Sequence, residues 1–261
     1  MTGPTEFFAD VNGEQCRVWE QGTGDTVGYF AGFGGLPRWT AFLERLSAAH
    51  RVVAPSLPGF PGGLGHTQLD TQLDWVLAAR DLIVESDLDG AALIGSSVGG
   101  ALAAEVAALW PEAVSRLVLI APMGLYQDDD PPADPFAQRP GTHNALFCHQ
   151  PENYDALMAT PNDVDHNEWQ VLSVRAQEAA ARLLWPLGET GLRKRLSRIE
   201  CPTLLLWGKE DKLLPASYAE RFAEAISGPV EIATIADAGH LAEIDAPDAA
   251  AKRIAQFLAA G

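Results

Sequence analysis

Short, continuously apolar runs alternate with stretches of helical periodicity, and this alternation limits the fold more than any other feature of the chain. The runs fall at 27–31, 51–55, 91–95, 116–121, 202–207 and 230–235. Apolar residues recur at helical spacing between them: Phe42, Leu43, Leu46; Leu73, Val76, Leu77, Leu82, Ile83; Leu102, Val106, Leu109; Tyr218, Phe222, Ile226; and 247–258. A strand apolar on both faces must be covered on both faces. The expected fold is therefore α/β, a mostly parallel sheet with helices on both sides. Asn12-Gly13, between residues 7–10 and 15–20, favours a tight hairpin and adds two antiparallel strands. The rhythm stops at Pro122. Residues 123–188 show no strand and read as an inserted helical cap, with helices at 151–158 and 168–184. This insertion divides the α/β core into 1–122 and 189–261. Asp128-Asp129-Asp130 reads as a loop facing water.

Gly95-Ser96-Ser97-Val98-Gly99 lies where an apolar run meets a helical pattern. Gly-x-Ser-x-Gly at a strand-to-helix junction fits a nucleophile elbow. The turn brings the backbone on either side of Ser97 close together, which requires very small residues at 95 and 99. The helix starts at the serine, so its N–H groups and positive dipole end face any negative charge that develops there. The same pentapeptide also serves as a plain loop, so its meaning depends on the rest of the chain. Gly32-Phe33-Gly34-Gly35 follows the first parallel strand. It lacks the spacing of a dinucleotide or phosphate loop. Its backbone N–H groups would instead face the serine, with Phe33 and Val98 as oxyanion donors.

With 18 basic and 35 acidic residues the net charge is −17, which disfavours nucleic acid or an anionic membrane as partner. Cys16, Cys148 and Cys201 are scattered and odd in number, so neither a disulfide framework nor a zinc site is expected. The N-terminus shows no basic and apolar leader pattern, and no run reaches transmembrane length. Together these features suggest a cytoplasmic protein without metal or cofactor.

A serine hydroxyl needs an adjacent base to act as a nucleophile. His240 follows the last strand, and Asp211 follows the strand at 202–207. Loops after the carboxyl ends of parallel strands gather at one edge of a sheet, so Ser97, Asp211 and His240 can meet there. Glu210, one residue earlier, is a rival for the acid, and Asp237 and Asp245 are weaker ones. His50, His66, His143, His149 and His166 read as surface or cap residues. Trp185 and the apolar residues of the cap could line an acyl pocket, though aromatic residues more often fill cores.

In the order Gly32-Phe33-Gly34-Gly35, Gly95-Ser96-Ser97-Val98-Gly99, Trp207-Gly208-Lys209-Glu210-Asp211 and Gly239-His240, the chain resembles the α/β-hydrolase superfamily with a cap domain. The family often carries His-Gly where this chain has Ala31-Gly32. It often has an aspartate in the turn where this chain has Ser56-Leu57-Pro58-Gly59. These departures bear on loop anchoring. The resemblance implies a serine hydrolase with Ser97 as nucleophile, His240 as base and Asp211 as acid, acting on a small-molecule carboxylic ester. An aspartate nucleophile would have pointed to dehalogenase or epoxide hydrolase chemistry. Hydrolysis of a carbon–carbon bond in a dienone acid is the alternative. It is weaker because the Gly-Gly-Gly-Pro-Gly type loop and the tryptophan after the histidine are missing. Lactone and thioester hydrolysis stay open. A non-catalytic relative would tend to lack one of the three residues, and all three are present.

Overall fold

A computed structural model describes residues 3–139 and 142–260. Met1 and Thr2, part of the N-terminus read above for a leader pattern, lie outside the described residues. Strands β1 (Thr5–Val11) and β2 (Glu14–Gln21) form the expected hairpin. Its turn places Asn12 at φ 55° and Gly13 at φ 81°, both in the left-handed region that matches strand twist. Next come β3 (Thr26–Phe30), β4 (Arg51–Pro55), β5 (Ala92–Ser96), β6 (Arg116–Ile120), β7 (Thr203–Gly208) and β8 (Val230–Ile235). The eight strands form one sheet in the order β1-β2-β4-β3-β5-β6-β7-β8. β2 is antiparallel to both of its neighbours, and every pair from β4 to β8 is parallel.

Side chains alternate between the two faces, and each face has its own core. Leu204, Leu206, Val118 and Ile120 pack with α1 (Ala41–Ser47) and α9 (Pro247–Ala259). Leu205, Trp207, Leu117 and Leu119 pack with α2 (Gln72–Glu85), α3 (Ser97–Leu109) and α7 (Ser217–Ala225). Helix α2 starts at a capping box, in which Thr71 N–H donates to the Asp74 carboxylate at 2.7 Å and Asp74 N–H to the Thr71 hydroxyl at 3.3 Å. The two edge strands are the least covered, leaving Phe8 of β1 and Ile232 of β8 exposed.

The described residues between β6 and β7 hold no strand. They hold α4 (His143–Phe147), α5 (Pro151–Met158) and α6 (His166–Leu184). At five residues, α4 is too short to show periodicity and was not expected from the sequence. Helix α6 starts two residues before 168 because the Asp165 carboxylate caps it, accepting the Asn167 and Glu168 N–H groups at 2.9 and 3.3 Å.

Three sequence readings need correction. Asp130 does not simply face water. Its carboxylate accepts from the Ser217 hydroxyl at 2.6 Å and its carbonyl from the Tyr218 hydroxyl at 3.0 Å, fastening the loop to α7. His66 belongs neither to the surface nor to the insertion. It is buried under α6, with Nε2 3.5 Å from the Glu178 carboxylate. Trp185 is exposed, with its ring edge-on to Phe136, so it is not a core residue.

Helix α3 is expected to bury one face but is buried all round from Ser97 to Ala108. Residues 192–198 lie over its outer side. There the fully buried Glu105 carboxylate takes two hydrogen bonds from Arg195, at 2.5 and 2.6 Å. Removing one partner strands a charge in the core. Glu105→Ala is expected to cost about 3 kcal/mol in urea denaturation, whereas a double Glu105→Leu, Arg195→Leu variant recovers most of that loss.

Candidate active site

The elbow is built by backbone contact. Ser97 takes φ 50°, strained for a residue with a side chain. A Cβ at Gly95 would lie 2.6 Å from the Gly99 carbonyl oxygen, and one at Gly99 would lie 2.5 Å from the Phe30 and Ala31 carbonyl oxygens. The turn therefore closes on itself and on the end of β3, where the Gly32–Gly35 segment begins. That segment turns tightly: Gly35 N–H donates to Gly32 O at 2.9 Å, and Gly34 and Gly35 take φ 92° and 74°. Among the described residues, the Phe33 N–H donates to no acceptor. The Val98 N–H lies in the first turn of α3, where a helix offers no intrahelical acceptor.

The three residues from three strand ends converge. His240 Nε2 is 2.8 Å from Ser97 Oγ, and His240 Nδ1 is 2.9 Å from Asp211 Oδ2. The side chains of His240 and Asp211 are 0% and 1% exposed. The other Asp211 oxygen accepts the Leu213 and Leu214 N–H groups at 2.8 and 2.9 Å, which fixes the carboxylate in its turn. Glu210 points to solvent, so the choice between the two acids falls to Asp211. Asp237 is exposed and apart, and Asp245 binds backbone beside the histidine rather than its ring.

The loop anchoring, uncertain from the sequence, comes from Arg17. Its guanidinium donates to Leu36 O at 2.6 Å, Pro61 O at 3.1 Å and the Ser56 hydroxyl at 3.3 Å, and it stacks 3.5 Å over Trp19. Burial pulls its pKa down to about 10, which leaves it cationic at neutral pH. It ties the end of the glycine segment to the turn after β4.

Aromatic rings close the site. Phe33 stacks on Phe147 at 4.6 Å, Phe147 stacks on Tyr154 at 5.1 Å, and Phe147 lies 6.1 Å from the His240 ring. Ser97 is 1% exposed. Within the insertion a cavity of about 190 Å³ is lined by Tyr154, Met158, His143 and Gln177. Tyr154 and Met158 also face Gly34: a Cβ there would lie 3.3 and 3.0 Å from their hydroxyl and sulfur atoms.

Glu243 is a residue that sequence reasoning missed. It lies in α8 (Ala242–Asp245), fully buried, and accepts from the Tyr29 hydroxyl at 3.1 Å. Burial raises its carboxyl above the ordinary 4.5, and the nearby Ser96 and Tyr29 hydroxyls pull less strongly the other way. A charged residue in the otherwise apolar Leu241-Ala242-Glu243-Ile244 was the only available signal. No group of His, Cys, Asp and Glu among the described residues could hold a metal ion.

Residues 23–253 match the model of the alpha/beta hydrolase family. The chain belongs to that family. It is 28% identical over 260 residues to the dihydrolipoyllysine-residue acetyltransferase component of the acetoin cleaving system of Cupriavidus necator, covering 91% of this chain and 65% of that protein. It is 26% identical over 271 residues to a 2-hydroxy-6-oxo-6-(2'-aminophenyl)hexa-2,4-dienoic acid hydrolase of Metapseudomonas resinovorans, covering 97% and 90%. Among solved structures, a 2-hydroxy-6-oxo-6-phenylhexa-2,4-dienoate hydrolase from Rhodococcus superposes with a TM-score of 0.78 at 20% identity, covering all of both chains. The last comparison speaks to the fold alone.

Two outcomes follow from this site. Gly99→Ala forces a methyl group against two carbonyl oxygens, and urea denaturation should show it lowering the unfolding free energy by more than an ordinary surface change, on the order of 2 kcal/mol or above. Burial raises the Glu243 carboxyl in the folded protein, so its contribution to stability is greatest below the ordinary 4.5 and fades as pH rises. Thermal melts from about pH 5 to about pH 8 should show the wild type losing ground to Glu243→Gln, and equal slopes would contradict the buried-acid account.

Proposed function

We propose that this chain is a serine hydrolase cleaving carboxylic esters of small to medium acyl groups through an acyl-enzyme on Ser97. The observation that carries this reading is the continuous pair of hydrogen bonds from Ser97 Oγ through the His240 ring to Asp211. In the proposed cycle His240 Nε2 takes the Ser97 proton while Oγ attacks the ester carbonyl. The tetrahedral oxyanion accepts hydrogen bonds from the Phe33 and Val98 N–H groups. Asp211 holds the Nδ1–H tautomer and stabilises the imidazolium. As the intermediate collapses, the alcohol leaves with the proton from Nε2. Water then attacks the acyl carbonyl, gives its proton to His240, and the acid departs as Ser97 Oγ recovers its proton. A lactone or thioester fits the same cycle, with an alkoxide or thiolate as leaving group.

Hydrolysis of a carbon–carbon bond in a dienone acid is the second reading, favoured by the Metapseudomonas relative. Charge supports the ester. A dienone acid brings a carboxylate into a chain of net charge −17. Among the described residues, no lysine or arginine pairs with Ser97, His240 or Asp211. Arg175 and Arg38, on the seam between insertion and core, donate to the backbone carbonyls of Gly59 and of Leu157 and Ala159. The three cysteines are unpaired, which supports a reducing cytoplasm as the place of work. On this reading the partner is the small-molecule ester itself.

The test is a chain-length series of p-nitrophenyl esters beside a dienone acid. Ser97→Ala is expected to remove turnover of every ester, and Asp211→Asn to lower kcat on the order of 10⁴-fold. Glu210→Gln should leave kcat within about 3-fold of wild type, as expected for an exposed side chain. Ester turnover surviving Ser97→Ala would reject the mechanism, and turnover of the dienone acid alone would select the second reading.

A further inference from the structure

Asp245, the last residue of α8, accepts four hydrogen bonds. Its Oδ2 takes the His149 N–H at 2.6 Å and the Gly239 N–H at 2.8 Å. Its Oδ1 takes the Asn153 side-chain amide at 2.9 Å and the Gln150 N–H at 3.3 Å. Three of these donors belong to the helical insertion, and the fourth is the peptide N–H immediately before His240. On the other side of the histidine, Leu241 N–H donates to Phe147 O at 2.9 Å. The backbones also touch here: a Cβ on Gly239 would lie 2.6 Å from His149 N and 2.9 Å from the Cys148 carbonyl carbon. Both neighbours of His240 are thus fastened to residues 147–150, Leu241 directly and Gly239 through Asp245.

We propose that Asp245 is a positioning residue: it makes docking of residues 147–153 and placement of the His240 imidazole one event. The proposal rests on the reading of Ser97 and His240 as nucleophile and base. A carboxylate held by backbone N–H groups and an amide makes charge-assisted hydrogen bonds, the stronger kind. Without it, three backbone donors and an amide lose their acceptor together, and the turn carrying His240 loses its tie to the insertion. A displacement of about 1 Å at a catalytic group can cost about 10²-fold in rate. An acid that only glued the fold together would change stability and leave the reactivity of Ser97 in the folded protein unchanged.

The full chain is compared with Asp245→Asn, Asp245→Ala and Asp245→Glu. The readouts are circular dichroism, kcat and KM on a turned-over p-nitrophenyl ester, and the second-order rate of covalent labelling by a fluorophosphonate. The asparagine keeps the shape and one acceptor oxygen. It is expected to retain the dichroism spectrum while labelling rate and kcat fall together by about 10- to 100-fold and KM stays within about 3-fold. Glutamate can reach the same donors and should recover part of the labelling rate. A folded Asp245→Asn that labels at the wild-type rate, or a change confined to KM or to the melting temperature, overturns the proposal. If Asp245→Ala does not fold, the asparagine variant decides; failure of both to fold marks a purely structural acid and also overturns it. Labelling that persists in Ser97→Ala would instead sink the reading of the site, whatever Asp245 does.

Discussion

The arrangement depends on one close approach between backbones. Gly99 lies against the last carbonyls of β3, and Gly95 lies against Gly99. No side chain larger than hydrogen fits at either point. That contact holds Ser97 in its left-handed conformation and aims its hydroxyl at the sheet edge. It also brings the start of α3 beside the glycine segment, where Gly32 lies against the Ser97 side chain. The strain at Ser97 persists because the surroundings leave no room to relax. Helix α3 is buried on every side, and its outer face is pinned by the Glu105–Arg195 pair.

Around this point the sheet supplies positions and the loops supply chemistry. Asp211 and His240 each follow a parallel strand, and each is held by backbone hydrogen bonds near its own position. Asp211 takes two N–H groups with the oxygen that does not face the imidazole. The His240 turn is held by Asp245 and by the Phe147 carbonyl. The buried Glu243 adds a second layer beneath the elbow, linked to β3 through Tyr29. Three carboxyl groups thus stand close to one histidine in sequence or space, and their surroundings give them different work. One faces the ring, one binds peptide N–H groups, and one is buried in the core, where desolvation pushes its carboxyl up.

Much of this was legible in the sequence. The alternation of apolar runs with helical spacing marked the strands and the helices covering them. Residues 230–235 and 151–158 matched β8 and α5 end to end, because turn residues bound them sharply. Ser97, Asp211 and His240 stood out because their residue types and their places after strands agreed. What stayed hidden depends on which distant segments meet. Nothing local says that Asp245 faces the insertion, that His66 lies beneath α6, or that Arg17 replaces the missing anchor in the turn after β4. Helix α4 was too short to carry a period, and the cap on α6 moved its start by a polar contact that hydrophobic spacing does not register.

The stacked rings beside Ser97 and His240 carry a kinetic consequence. Phe33 belongs to the core and Phe147 and Tyr154 to the insertion, so the seal spans the seam between them. With Ser97 and His240 cut off from bulk solvent, the rings must part before a reactant arrives and again before a product leaves. Under the proposed ester hydrolysis, water faces the same barrier as the ester. Under the same proposal, slow separation of these rings would set the pace of both half-reactions, and a faster leaving group would gain little. The cavity beside Tyr154 and Met158 lies on the insertion side of the glycine segment, because the same two side chains face Gly34.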